Sequence, residues 1–162
     1  MDATHATHTH WSLLTCVFLC CSQLEPGGYL ELQDNYFPVG CEDGTLTADS
    51  PLVRWTNLLV EATDKIGRPI TVAPTFKKML EEAGFEAVVE TKYRYPHSPW
   101  AKDAKLSELG RWTQAGTLQG VEAMSLALFT RVLGWSQEET LLFCTQVRND
   151  LQSTRVHGIW DL

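Results

Sequence analysis

The chain has 162 residues, 44% hydrophobic and 20% charged, enough for one packed domain or part of one. A net charge of −7 and a pI near 5.1, with no run of Lys or Arg, exclude a sequence-independent grip on nucleic acid. The odd set of five cysteines (Cys16, Cys20, Cys21, Cys41, Cys144) has no second CxxC pair, which fits reduced intracellular thiols in the cytoplasm or nucleus better than a disulfide framework or a zinc site.

The first ten residues, MDATHATHTH, form a small polar run with histidines at 5, 8 and 10, read as a tail rather than a metal site. An apolar piece follows, Trp11 to Cys21. It lacks the positive n-region and small-residue cleavage site of a secretory signal, so a secreted protein is the weakest reading. It is also shorter than the roughly 20 apolar residues that cross a bilayer, and no membrane role is expected.

Leu24 to Asp34 reads LEPGGYLELQD. Pro26-Gly27-Gly28 turns the chain, and Tyr29 to Gln33 alternates with the period of a strand. Tyr29, Glu31 and Gln33 share one strand face, with Asp34 at the carboxyl end. Such a polar end suits an acceptor pocket and equally a solvated strand end. Asn35 to Asp49 carries turn chemistry throughout.

A helix is expected next, with Ser50 as N-cap, Pro51 in the first turn and Gly67 at its close; Leu52, Trp55, Leu59, Ala62 and Ile66 form its buried stripe. A second helix runs from about Pro74 to Ala83, with Phe76, Met79, Leu80 and Ala83 on one face and Gly84 as its left-handed stop. Ala87 to Tyr95 reads as a strand ended by Pro96 and Pro99.

From Asp103 the pattern is helical: Leu106, Leu109, Trp112 and Thr113 in one segment, then Val121, Met124, Leu128, Val132 and Leu133 in another, closed by Gly134. Gly110, Gly116 and Gly120 argue against one unbroken rod. Ser136 and Glu139 form a capping box for a helix that turns Leu141, Cys144, Val147 and Leu151 inward.

Trp100, Arg111 and Trp112 are candidates to roof the pocket, although core packing is the expected role of Trp112. His157 is of the residue type that most often serves as a general base but has no obvious orienting partner in sequence, so a surface or helix-end histidine is expected. No phosphate loop, HExxH, EF-hand loop or Ser-His-Asp order occurs, and no catalytic residue is assigned.

The succession PGGYLELQD, EDGTL, RWTNLLVEATDKIGRP, APTFKKMLEEAGF, LGRW and SLALFTRVLGWSQEE resembles the C-terminal half of fungal LaeA-like class I S-adenosylmethionine-dependent methyltransferases, from Leu24 to His157. The resemblance implies an α/β, Rossmann-like sheet with Tyr29–Gln33 entering as its fifth strand. S-adenosylmethionine would lie at the carboxyl ends of the early strands, and a methyl acceptor against the later loops. Tyr29, Glu31, Gln33, Asp34 and Trp112 are then the substrate-pocket candidates.

Two departures shape the expectation. The sequence has no G-x-G-x-G turn, so no residue is assigned to the cofactor, and the Tyr/Val-rich terminal antiparallel strand after His157 is missing. Residues 1–23 then read as unrelated, poorly packed sequence, and 24–162 as a partial methyltransferase domain with about two strands and several helices, helix-rich overall. Tyr29–Gln33 and Val88–Tyr95 would each keep an unfilled edge. The expected function is an acceptor-side fragment, inactive alone. The alternative is a non-catalytic interaction module, derived from a methyltransferase regulator of fungal secondary metabolism, that pairs with a protein partner through exposed sheet edges.

Overall fold

The computed structural model describes residues 15–162; the histidine-rich run and the first part of the apolar N-terminal piece lie outside the described residues. Helix α1 covers residues 15–23, inside the stretch read as joined-on sequence. The other helices are α2 (Pro51–Lys65), α3 (Phe76–Glu82), α4 (Ala104–Arg131) and α5 (Gln137–Gln152), with a single 3₁₀ turn at Ala73–Thr75 leading into α3. Two short strands, β1 (Arg94–Pro96) and β2 (Ile159–Asp161), pair antiparallel. The described chain is therefore helix-rich with a small sheet.

Helices α2, α4 and α5 form the main core. Leu52, Trp55 and Leu59 of α2 meet Val121 and Phe129 of α4 and Phe143, Cys144, Val147 and Leu151 of α5. The expected α2 stripe holds except at its end: Ile66 is the C-cap, where the helix stops and the side chain turns half into water. The N-terminus of α2 is capped from a distance. The Ser50 hydroxyl accepts from the Thr47 amide at 2.9 Å, while the Leu52 amide donates to the Asp150 carboxylate on α5 at 3.0 Å.

The glycines do not interrupt α4, which runs unbroken for 28 residues from an Asp103 N-cap. At Gly110 the reason is close approach: a Cβ there would sit 2.3 Å from the Ser98 carbonyl oxygen, so only glycine lets α4 lie against the turn after β1. The Ser136 and Glu139 capping box forms as expected, with the Glu139 amide donating to Ser136 Oγ at 3.1 Å and the Ser136 amide donating to Glu139 at 2.8 Å. These backbone and hydroxyl contacts of Ser136 hold the Glu139 carboxyl below its ordinary range.

The strands depart most from expectation. Tyr29–Gln33 forms no ladder: it makes no backbone–backbone hydrogen bond with a described residue. Of Ala87–Tyr95, only the end enters a strand; Ala87 has φ 54°, a left-handed conformation that cannot continue a ladder. Pro96 does not stop β1 but belongs to it. Its partner Ile159 directs both backbone groups to Gly40 instead, so the missing N–H of proline is not needed.

A short antiparallel strand, β2, does follow His157, where the sequence reading expected none. It is bonded on two sides: Ile159 exchanges hydrogen bonds of 2.9 Å with Gly40, and the Tyr36 amide donates to Asp161 at 2.8 Å, opposite the β1 ladder. The spatial order is thus residues 36–40, then β2, then β1.

Candidate functional site

A cleft of about 1010 Å³ lies between the extended chain 24–36 and residues 84–93, with α3 beneath it and Leu162 at one end. Its apolar floor is built from Leu32, Phe76, Leu80 and Phe85, which pack on the buried Val17, Met79 and Ala83. Val17 comes from α1, so the N-terminal helix closes the underside of the site. The PGG turn positions the first wall: Gly27 has φ 84° and the Gly28 amide donates to the Glu25 carbonyl at 2.8 Å, which sends Tyr29 to Asp34 along the rim.

Four of the five sequence-predicted pocket residues, Tyr29, Glu31, Gln33 and Asp34, line this cleft. They are not buried groups seeking a partner. Tyr29 is 96% exposed, and Gln33 Nε2 donates to Glu31 Oε1 at 2.6 Å along the rim. Tyr36, at the end of this first wall, reaches across to the facing one: its hydroxyl donates to Glu90 Oε1 at 2.9 Å, and Lys92 lies 4.8 Å over its ring. The Tyr36 hydroxyl and then the Glu90 carboxylate push the Lys92 ammonium above its ordinary pKa, so it stays charged.

The fifth residue is elsewhere. Trp112 lies on α4 away from the cleft and is 72% exposed, so it neither roofs the pocket nor packs in the core as expected. The half of α4 that carries it packs through Gly110 on Ser98 and through Gln114 on the Leu151 carbonyl of α5, which leaves Leu109 and Trp112 facing outward. Arg111 is exposed as well, and Trp100 packs at a different place.

That place is a second cluster. Trp100 stacks on His157 with ring centroids 4.6 Å apart at 26°, and its Nε1 donates to the Gly158 carbonyl at 3.1 Å. His157 does have an orienting carboxylate, contrary to the sequence expectation: its Nδ1 bonds Asp43 Oδ2. The partner was not legible because it lies 114 residues away along the chain. Asp43 Oδ1 also accepts from Thr45 Oγ1 at 2.8 Å and the Thr45 amide at 3.1 Å. Bonding to His157 first, then to Thr45, holds the Asp43 carboxyl far below the usual carboxylate range. The pair fastens loop 41–46 to the chain entering β2.

His97 beside it was not singled out from sequence. It is fully buried, with Nδ1 3.2 Å from the Gly158 carbonyl and Nε2 3.4 Å from the Asp150 carbonyl. Burial pushes its pKa down and keeps the ring neutral at pH 7. With a single ring proton it donates to one of these two carbonyls, and it fills the space between α5 and the chain entering β2 with no open face toward a ligand.

The described residues assemble no set of groups matched to S-adenosylmethionine. Among the described residues no buried side-chain nitrogen or oxygen lacks a partner. The Gly27-Gly28 turn precedes its extended segment, and a Cβ at Gly27 would meet nothing, so the turn is not a cradle shaped around a ligand. Among the described residues no group of three His, Cys, Asp or Glu side chains could hold a metal, and no helix is long and apolar enough to cross a membrane.

Comparison with known proteins gives relatives of two kinds. Methyltransferase pytC of Aspergillus terreus is 39% identical over 142 residues, which is 88% of this chain and 44% of the relative. The probable methyltransferase tdiE of Emericella nidulans is 39% identical over 139 residues, 86% of this chain and 44% of the relative. The secondary metabolism regulator LAE1 of Cochliobolus heterostrophus is 33% identical over 139 residues, 85% of this chain and 45% of the relative. The chain thus spans less than half the length of the curated relatives it matches. No protein-family model matches it, and no solved structure does.

Proposed function

We propose that this chain, a homologue of fungal methyltransferases and of LAE1-type secondary metabolism regulators, is the acceptor-side portion of an S-adenosylmethionine-dependent methyltransferase domain and transfers no methyl group by itself. The observation that carries this reading is the match of nearly the whole chain to only 44% of each methyltransferase relative. The spatial order of residues 36–40, β2 and β1 supports it, since an antiparallel last strand seated between two others is what the Rossmann-like methyltransferase sheet requires. In that sheet the wall Tyr29, Glu31, Gln33 and Asp34 belongs to the acceptor side.

The methyl donor would be gripped by residues that this chain does not supply, because no glycine cradle or unsatisfied buried donor set is present among the described residues. Free thiols at all five cysteines suit a reducing compartment, cytoplasm or nucleus, and the net charge of −7 argues against nucleic acid as the partner. Titration of the chain with S-adenosylmethionine, by calorimetry and by thermal shift, tests the reading. The expected result is no binding heat and an unchanged Tm; saturable heat with a rise in Tm of several degrees would overturn it.

A second reading is favoured by one observation. The two walls of the cleft carry unpaired backbone and exposed apolar side chains, Tyr29, Val89 and Tyr93. Such edges pair readily with another chain, which fits a non-catalytic interaction module derived from a methyltransferase regulator.

A further inference from the structure

Residues 36–40 and β1 both run antiparallel to β2, so they run parallel to each other. Their carboxyl ends meet at Gly40 and Pro96, beside Ile159 where β2 begins. In open α/β sheets ligands bind beyond the carboxyl ends of the strands. Here that end carries loop 41–46, the turn 97–100 and His157, and the cleft lies at the opposite end.

His157 is held there from three directions. Its amide donates to Thr45 Oγ1 at 2.8 Å, its Nδ1 bonds Asp43 Oδ2, and Trp100 stacks on its ring. Trp100 is fixed in turn by the bond from its Nε1 to the Gly158 carbonyl. Asp43 is ionised at neutral pH and can only accept, so the proton of a neutral imidazole sits on Nδ1 and the lone pair on Nε2. Nε2 has no hydrogen-bond partner among the described residues, whose buried side-chain nitrogens are all satisfied, so it reaches the surface. Fastening the loop uses one ring nitrogen and leaves the other open as an acceptor.

The surroundings select the guest. A lone pair requires an O–H or N–H donor. The Asp43 carboxylate on the ring disfavours a guest that arrives as an anion. Trp100, half-buried, adds a flat apolar surface beside the ring. A neutral hydroxyl on a flat unsaturated skeleton, a phenol or an enol, meets all three demands.

We propose that His157 Nε2, oriented by Asp43 and flanked by Trp100, is the docking point for the hydroxyl of a phenolic or enolic small molecule and draws the proton from it. When the proton passes over, the O–H bond breaks, an Nε2–H bond forms, and the electron pair stays on oxygen. The positive charge of the ring then lies against the Asp43 carboxylate. The proposal deepens the acceptor-side reading and rests on it, since an acceptor hydroxyl relieved of its proton is the stronger nucleophile.

The test uses the full chain without cofactor and two probes, 4-cyanophenol and its methyl ether. Equilibrium dialysis should show the phenol binding at least about 10-fold tighter than the ether, a difference near 1.4 kcal/mol. The nitrile stretch of the bound phenol should move toward the phenolate frequency. In nitrogen spectra of the native chain, the His157 Nε2 resonance should shift when the phenol is added, and those of buried His97 should stay in place. His157→Phe keeps a ring against Trp100 and removes both nitrogens, so it should abolish the preference for the phenol.

Equal affinity for phenol and ether, a preference that survives His157→Phe, or an unmoved Nε2 resonance would overturn the proposal. Absence of saturable binding, or an unshifted nitrile stretch, would overturn it as well. The spectra of the native chain decide the question even where the variant fails to fold. None of these results touches the S-adenosylmethionine titration, so the two readings fail separately.

Discussion

The α2–α4–α5 core and the cleft are made by the same chain under the same solvent, yet one is closed and the other is open. In the core, Trp55 is buried with its indole N–H donating to Ser125 Oγ at 2.8 Å, and Thr63 and Thr140 return their hydroxyls to carbonyls one turn back. In the cleft, Tyr29 is almost fully exposed and seven consecutive residues, 29–35, lack backbone–backbone bonds to described residues. The difference follows from where each kind of element finds its partners. A helix satisfies its backbone within its own turns and needs neighbours only for its apolar face. A strand has no such reserve, and without a neighbour it remains extended chain.

The largest expected effect tests the closed side. Trp55→Ala should cost about 3–5 kcal/mol, removing a fully packed ring and leaving Ser125 Oγ without its donor. Urea unfolding followed by far-ultraviolet circular dichroism should show the loss across α2, α4 and α5 together. A cost below 1 kcal/mol would mean that the core is not the cooperative unit described.

An intermediate effect tests whether the two regions are coupled. Met79→Ala opens the small cluster under the cleft, where Leu32, Phe76, Leu80 and Phe85 are only partly buried and free to collapse, so the cost should be about 2 kcal/mol. Exchange should quicken in α1 and α3 and stay unchanged in α5. Equal quickening in both would break the comparison.

The smallest effect concerns Asp43 and His157. The Asp43 carboxyl is held below its ordinary value of 3.8, so its contribution to stability is present above that pH and is lost as pH falls through the folded value. The Tm difference between the native chain and Asp43→Asn should therefore be largest near neutrality and shrink on acidification below about pH 4. A difference that grows as pH falls below about 4 would contradict the assigned bond between Asp43 and His157.

Helices were legible in the sequence because their signals are local. Pro51 with the Leu52, Trp55, Leu59 stripe and the Ser136 and Glu139 box both formed where the spacing required. The continuity of α4 was not legible, since Gly110 is explained by Ser98 packing across from it, a contact no window around Gly110 contains. For the same reason Trp160 and Asp161 were not seen as a strand: their partners Tyr95 and Arg94 lie more than sixty residues earlier. In the candidate site, Tyr29, Glu31 and Gln33 line the cleft, while the alternation read as a strand forms no ladder, because a ladder needs a partner that the local pattern does not contain. Asp43 and His157 were each visible and their meeting was not, because loop closure rather than periodicity brings them together.

Amide hydrogen exchange on the chain alone, resolved by segment, tests the division most directly. The account predicts slow, cooperative exchange in α2, α4 and α5 and exchange near the unprotected rate at 29–35 and 88–92. Protection of 29–35 and 88–92 equal to that of α5, in a monomeric sample, would contradict it: those residues would then have partners, and the open half of the molecule would be closed.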